Sequence, residues 1–472
     1  MTLHIPFDNS FARLDGPLFA RLDPTPVSNP GLIAFNHALA EDLGISGTDD
    51  AHTLAQALSG NHPPEGAEPL AQVYAGHQFG GFSPQLGDGR AHLLGEVVTP
   101  QGRFDIQLKG SGPTPFSRRG DGRAWLGPVL REYLVSEAMH ALGVPTSRAL
   151  AAVRSGDEVI RERPLPGAVL TRVASSHIRV GTFQYFAARR ETDTLRTLFD
   201  YTRDRHAPNA DGPEALLAAT IQKQAALVTQ WMGLGFIHGV MNTDNCTLSG
   251  ETIDYGPCAF MDAYDPRRVF SSIDRQGRYA FAAQADIIVW NMAQLASALV
   301  PLMTDEEAAV TRFQSMIEEM PDLLRHEWLT RFAAKLGIDA PRDEDGPLIG
   351  ELLSLMHKGG SDFTNTFAAL TDGSARDEIA DRAAYDDWHA RWQKRLEAEP
   401  DAQDVMAAAN PRVIPRNHQI EAVIAAAVDG DDAPFHRLHA ALAQPYDARA
   451  DNHWLRAAPA PDERVQATFC GT

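Results

Sequence analysis

The sequence predicts an α+β protein with a small N-terminal lobe of mixed sheet and helix and a larger, mainly helical C-terminal lobe. Three observations predict it. From Ala71 to Leu108 short apolar runs alternate with glycine turns, the pattern of antiparallel strands and hairpins. One helical stretch, opened by Pro128, separates those runs from two more extended segments. After about residue 175 the helical period dominates, to about residue 444. With 472 residues, 44% of them apolar, the chain is long enough for more than one core. It is expected to divide into an N-lobe over 1–175, a C-lobe over 176–444 and a tail over 445–472 that returns across the surface and carries Cys470.

Residues 1 to about 70 contain Asp23-Pro24, Asn29-Pro30 and the turn-rich NHPPEGAEP from Asn61, and read as an irregular wrap with one short helix. The run AQVYAGHQFGGFSPQLGDGRAHLLGEVVTPQGRFDIQLKG supplies the small sheet. From Pro128 onward Leu130, Leu134, Ala138 and Ala141 share one helix face, Glu132 lies on the polar face, and Gly143 with Pro145 closes the helix. SRALAAVRS and GAVLTRVASS extend the sheet. Leu217, Ile221, Ala225, Val228 and Met232 then line a helix from near Pro213 to Gly233 or Gly235. In the following FIHGVMNTDNCTLSGETIDYG, Leu248 to Ile253 reads as a tight hairpin turning at Ser249-Gly250, which sets Asn245 and Asp254 at its open ends, where they could share a ligand. Further helices are expected around 285–300, 305–336, 347–356, 376–397 and 416–443, before a Pro/Ala/Asp-rich tail from about Pro445.

Composition excludes several functions. Against 42 Lys+Arg stand 62 Asp+Glu, a net charge of −20 that repels nucleic acid and anionic membranes, so neither is expected as a partner. The start, MTLHIPFDNSFARLDG, lacks the basic and apolar segments of a signal peptide, and the most apolar later stretch is interrupted by Asn291, Gln294 and Pro301. Cys246, Cys258 and Cys470 cannot form a disulfide framework, and no Cys/His spacing suits a structural zinc site, which makes a reducing, cytoplasmic setting the expectation. One region opposes the overall charge. Between Arg103 and Arg131 lie six basic residues (Arg103, Lys109, Arg118, Arg119, Arg123, Arg131) and two acids (Asp105, Asp121), among five glycines whose backbone can approach an anion.

In order, the chain offers a glycine-rich turn after a strand, Lys109 ending a strand, Glu132 on the next helix, and then H-x-x-x-x-x-D-N and D-Y-G. That order resembles a protein kinase, in which a lysine holds phosphates, a glutamate orients it, and an Asn and an Asp hold Mg²⁺. Lys109, Glu132, Asn245 and Asp254 stand in the matching sequence. The kinase proton acceptor does not: two residues after His238 stands Val240, and Asp244 is the only nearby carboxylate able to replace it.

The strings YAGHQFGGFSPQLGDGRA, QLKGSGPTPFSRRGDGRAWLGPVLREYLVSEAMHALGVPTSRAL, HGVMNTDN and DYGP, with DFTNTFAAL and NPRVIPRNHQIEAVIAAA later, resemble the selenoprotein O family over nearly the whole chain. The resemblance implies a protein-kinase-like bilobal fold that transfers AMP from ATP to Ser, Thr or Tyr hydroxyls of proteins, the chain itself among them, and bacterial members have also been assigned UMP transfer from UTP. It implies ATP turned around relative to kinases, with the γ-phosphate buried and the α-phosphorus facing the acceptor. Carried over residue by residue, Gly87, Gly89 and Arg90 match the nucleotide-contacting turn and Lys109 the phosphate lysine. Asp121, Gly122, Arg172 and Arg179 match residues receiving the far phosphates. Asp244 matches the proton acceptor, Asn245 and Asp254 the ligands of Mg²⁺ or Mn²⁺, Asp254 also a nucleotide contact, and Glu132 a supporting residue. Extra arginines suit a reaction at the α-phosphorus, because pyrophosphate leaves with much charge to stabilise. Two rivals from other classes remain, a conventional kinase and a nucleotide-binding scaffold without catalysis. Nearby residues have plainer readings: Glu137 as solvated or locally paired, His77 as structural, His238 as packing the catalytic loop, and Arg118, Arg119 and Arg123 as a solvated rim.

Overall fold

Period-two alternation builds one large antiparallel sheet. The computed structural model describes residues 3–447 and 453–469, so Cys470 lies outside the described residues. In chain order come β1 (Phe19–Arg21), β2 (Gly31–Phe35), α1 (His37–Asp42), α2 (Ala51–Leu58), β3 (Leu70–Gln78), β4 (Gly81–Gly87), β5 (Ala91–Thr99), β6 (Gly102–Lys109), β7 (Ala124–Trp125), α3 (Leu126–Ala141), β8 (Arg148–Ile160) and β9 (Pro164–Ala174). The strands run in the order β1-β3-β5-β6-β9-β8-β2, with β4 added to β3 and β7 to β9. Residues 1 to 70 thus differ from the expected wrap. They contribute two strands, one to each side of the sheet, and two helices whose N-caps Asn36 and Asp50 accept backbone N–H groups. The signal was weak because both strands are short and their apolar residues are few.

The two faces of the sheet bury different partners. Ile106, Leu108, Val169 and Val173 pack with Leu39, Leu54 and Leu58 of α1 and α2 in one core. Side chains one residue out of phase, Gln107, Lys109 and Arg172, lie on the opposite face, across which α3 runs. The helix starts at Leu126, two residues before Pro128, and is buried almost all round, because the sheet and two later helices, Asn417–Val428 and Ala433–Leu442, enclose it.

The rest is helical: α4 (Val180–Arg189), α5 (Thr192–His206), α6 (Pro213–Gly233), α7 (Gln284–Leu299), α8 (Glu306–Lys335), α9 (Asp345–Gly359), α10 (Phe363–Asp372), α11 (Arg382–Leu396), α12 (Ala402–Ala409), α13 (Asn417–Val428), α14 (Ala433–Leu442) and α15 (His453–Arg456), with the short pair β10 (Phe236–Ile237) and β11 (Ala259–Phe260). The stretch expected as one helix over 416–443 is two, broken where Gly430 takes a φ of 96°. The helix expected from 376 begins at Arg382, capped by Asp381. Helices α4, α5, α10, α12 and α15 are additions to the expected set. By length and composition Gln284–Leu302 could cross a membrane, yet half of that stretch is buried in the fold, against α4, α6 and α8. Near the end of the described residues Thr468 bridges Ser271, and its hydroxyl donates to the Pro257 carbonyl just after the D-Y-G turn.

Candidate active site

The sheet face carrying Lys109 and Arg172, the β3–β4 hairpin and the loop 238–257 enclose a cleft of about 830 Å³. Of the candidate residues named above, all but Glu132 line it. Alternation explains the floor: Gln107 and Lys109, two apart on β6, point the same way, and Arg172 on β9 is registered against Gln107.

Lys109 Nζ donates to Glu132 Oε2 and to Asp254 Oδ1, both at 2.6 Å. Arg172, 2% exposed, donates to the same Asp254 oxygen at 2.7 Å, to Glu132 Oε1 at 3.2 Å and to Gln107 Oε1 at 2.6 Å. Arg179, 1% exposed, lies with its guanidinium 4.4 Å from the centre of the Tyr74 ring, 3.6 Å from Asp88 Oδ1 and 3.8 Å from Asp254 Oδ2. Burial works against the charge on both arginines, but the surrounding acids outweigh it and hold them firmly protonated. Burial likewise opposes ionisation of Asp254, and Lys109, Arg172 and Arg179 reverse that, holding its carboxyl well below the usual range. Arg172 and Arg179 are thus both salt-bridged and part of the cleft. Three cations converging on one carboxylate form a site for a strongly anionic group.

Asp254 adopts a φ of 62°, a left-handed conformation that aspartate tolerates and that turns its carboxylate into the cleft. The expected hairpin between Asn245 and Asp254 is instead a turn. Gly250 has a φ of 80°, the Thr247 hydroxyl donates to the Glu251 carbonyl, and the flanking backbone pairs elsewhere, Thr247 with Arg179 and Thr252 with Thr146. A side-chain hydroxyl closing the loop replaces strand pairing, and Asn245 and Asp254 still reach the same cleft.

Asp244 is nine-tenths buried. Gln78 Nε2 donates to its Oδ2 at 3.1 Å, while Oδ1 is buried without a hydrogen-bond partner among the described residues. Burial pushes this carboxyl up to about 6, only partly offset by the Gln78 bond. Asn245 Nδ2 donates to the Val240 carbonyl at 3.0 Å, which leaves Oδ1 as an acceptor. Oδ1 of Asn245 and Oδ2 of Asp254 make an all-oxygen pair suited to a hard divalent cation. No cluster of three or more metal-ligating side chains occurs among the described residues, so such a cation would complete its shell with phosphate oxygens and water.

The two glycine turns differ from a bare phosphate loop. A Cβ at Gly87 would lie 2.4 Å from the Phe116 ring and one at Gly89 2.8 Å from the Phe116 carbonyl, so these glycines let residues 113–117 close down beside Arg90. Gly122, with a φ of 67°, packs on Gly112, and Asp121 pairs with Arg161 at the rim. Arg118 and Arg119 are exposed, as expected of a solvated rim, but both take positive φ, and Arg123 is half-buried, donating to the carbonyls of Thr25 and Pro26. Glu137 is buried rather than solvated: it accepts from Arg148, Asn36 and the Ala149 N–H, tying α3 to β8. His77 pairs with Gln184, and His238 stacks on Trp231 and bonds the Ile253 carbonyl, both structural roles.

Four residues escaped the sequence reading. Asp88, buried between Gly87 and Gly89, accepts from the Gln72 N–H and Gln107 and faces Arg179. Gln107 links Asp88 to Arg172. Tyr74 backs Arg179, and Gln78 holds Asp244. Asp88 had a signal, an acid between two glycines; the others depend on pairing across the sheet or between lobes.

The family model for protein adenylyltransferase SelO matches residues 2–443. Proteins called protein nucleotidyltransferase YdiU are similar over the full length: those of Roseobacter denitrificans at 60% and Ruegeria pomeroyi at 58% identity, each covering all of both chains, and that of Jannaschia sp. at 57% over 99% of both.

Proposed function

The chain belongs to the protein adenylyltransferase SelO family, and on that premise we propose how its residues transfer AMP from ATP to a protein hydroxyl. Lys109, Arg172 and Arg179 receive the β- and γ-phosphates at the buried end of the cleft, with Glu132 orienting Lys109. Gly87, Gly89 and Arg90 border the nucleotide, and Asp121 and Gly122 join Arg172 and Arg179 around the far phosphates. The α-phosphorus then faces Asp244. The acceptor oxygen attacks it, its bond to the oxygen bridging to the β-phosphate breaks, pyrophosphate leaves, and the hydroxyl proton passes to the Asp244 carboxylate. Asn245 and Asp254 would hold Mg²⁺ or Mn²⁺, which when bound offsets charge on the phosphates. UTP presents the same phosphates, so UMP transfer uses the same arrangement. Cysteine usage favours a reducing, cytoplasmic setting.

The observation that carries this reading is the Asp244 carboxylate, largely buried yet lining the cleft, where a general base is needed and where Val240 offers none. Its test is incubation of the protein, as enzyme and acceptor, with Mg²⁺ and ATP labelled separately at the α- and γ-phosphates. Retention of the α label with release of pyrophosphate is expected. Retention of the γ label would establish a kinase instead, and retention of neither would leave a nucleotide-binding scaffold.

A further inference from the structure

The cleft has a second end, away from the buried arginines, where the β3–β4 hairpin lies on the catalytic loop. The Phe79 N–H donates to Asn242 Oδ1 at 3.1 Å and to the Tyr279 hydroxyl at 3.2 Å, and the Phe79 and Tyr279 rings meet edge-on at 5.1 Å. Asn242 is two residues from Asp244, which sets this hairpin tip beside the catalytic loop. The surface there is unusual. Phe79 is 37%, Phe82 41% and Ile273 58% exposed, three of the seven large apolar side chains left exposed among the described residues. Phe82 also packs on His77, whose ring meets the half-buried Trp290 edge-on.

A cation adjoins this patch. The Arg278 guanidinium stacks 4.8 Å from the Trp290 ring centre and lies 3.7 Å from where a Cβ at Gly80 would stand. Neither Arg278 nor the exposed Arg275 has an ion pair among the described residues, in a chain of net charge −20. The neighbouring Asp274 carboxylate is taken up by the backbone N–H groups of Arg278 and Tyr279. Arg278 does not line the nucleotide cleft, so the phosphates do not account for it.

We propose that Phe79, Phe82, Ile273 and Arg278 form the docking surface for the acceptor, and that it selects an extended segment carrying an aliphatic side chain and carboxylates beside the modified hydroxyl. The aliphatic group covers the exposed apolar side chains, and a carboxylate pairs with Arg278. This rests on the AMP-transfer reading with Asp244 as proton acceptor.

The test uses the full chain, Mg²⁺, α-labelled ATP and three synthetic peptides. One has a tyrosine flanked by leucine and glutamates, a second has lysines in place of the glutamates, and a third has alanine in place of leucine. The leucine–glutamate peptide is expected to have a kcat/KM higher than each of the others by roughly five-fold, the size of one partly exposed ion pair or apolar contact. Arg278→Glu should invert the charge preference and Phe82→Ser should erase the leucine preference, both through KM and with ATP affinity unchanged. Equal transfer to all three peptides, preference for the lysine peptide, or self-transfer with no peptide modified overturns the docking surface while leaving AMP transfer standing. Absence of α label on any peptide and on the protein itself overturns both.

Discussion

A carboxylate that must take a proton and an arginine that must meet a phosphate need opposite treatment, and the cleft separates them by residue. Arg172, Arg179 and Lys109 share Asp254, Glu132 and Asp88, so their charges are satisfied before any nucleotide arrives and are already oriented toward it. Asp244 stands apart with a single neutral donor, Gln78, which fixes the carboxylate without neutralising it. Asp244→Asn keeps the shape and removes the proton acceptor. It is expected to lower transfer on the order of 10²- to 10⁴-fold with ATP affinity little changed. Val240→Asp, which restores the kinase spacing, is expected to yield no phosphate transfer, because the phosphates stay anchored on the arginines. Mass spectrometry of the modified hydroxyl and calorimetry with ATP check both, and wild-type turnover in Asp244→Asn would remove Asp244 from the chemistry.

At the scale of elements, the β3–β4 hairpin is the piece that ties sheet to catalytic loop, and it does so by close backbone approach. A Cβ on Gly76 would stand 2.5 Å from Asp244 Oδ1, and a Cβ on Gly181, at the start of α4, would stand 2.1 Å from the Ala75 carbonyl. Hydrogen bonds from the His77 N–H to Thr243 and from the Phe79 N–H to Asn242 complete the seam. Gly76→Ala therefore pushes on Asp244 while leaving Lys109, Arg172 and Arg179 in place. Transfer is expected to fall roughly 10²-fold, the usual consequence of a displacement near an ångström at a reacting group, with ATP binding retained. Turnover within about two-fold of wild type, measured beside an ATP titration, would show that the seam yields without moving the carboxylate. Such contacts explain what the sequence could and could not reveal. Lys109, Glu132, Asn245 and Asp254 are readable because their order and spacing are chemical requirements. Gln78 and Gln107 are not, since their roles arise from a partner 166 residues away in one case and from partners on the paired strand β9 and in the β4–β5 turn in the other.

For the whole molecule, the division into sheet and helices is legible because each follows one hydrophobic period over many residues, whereas short elements such as β1, β2 and α12 give windows too small to show a period. Global stability also depends on a residue that no motif marks. Lys335, at the end of α8, is 3% exposed, lies 4.5 Å from the Phe367 ring centre and 5.8 Å from that of Phe363, and among the described residues its ammonium reaches only the Ala409 carbonyl, at 3.4 Å. Burial lowers its pKa from 10.5 to about 7, with no carboxylate among the described residues to oppose the shift. The unfolded chain binds this proton up to about pH 10.5 and the folded chain only up to about 7, so folding releases a proton between those values. Stability therefore rises with pH across that window, and below pH 7 the full penalty of a buried charge is present. Lys335→Met fills the same space without a charge. Its denaturation midpoint is expected to exceed that of the wild type by roughly 2 °C or more at pH 6, the gap narrowing steadily toward pH 10. Thermal unfolding followed by circular dichroism at several pH values measures this, and a gap that stays constant with pH, or a less stable variant at pH 6, would mean that Lys335 is held charged by its aromatic neighbours and contributes favourably to the helical core.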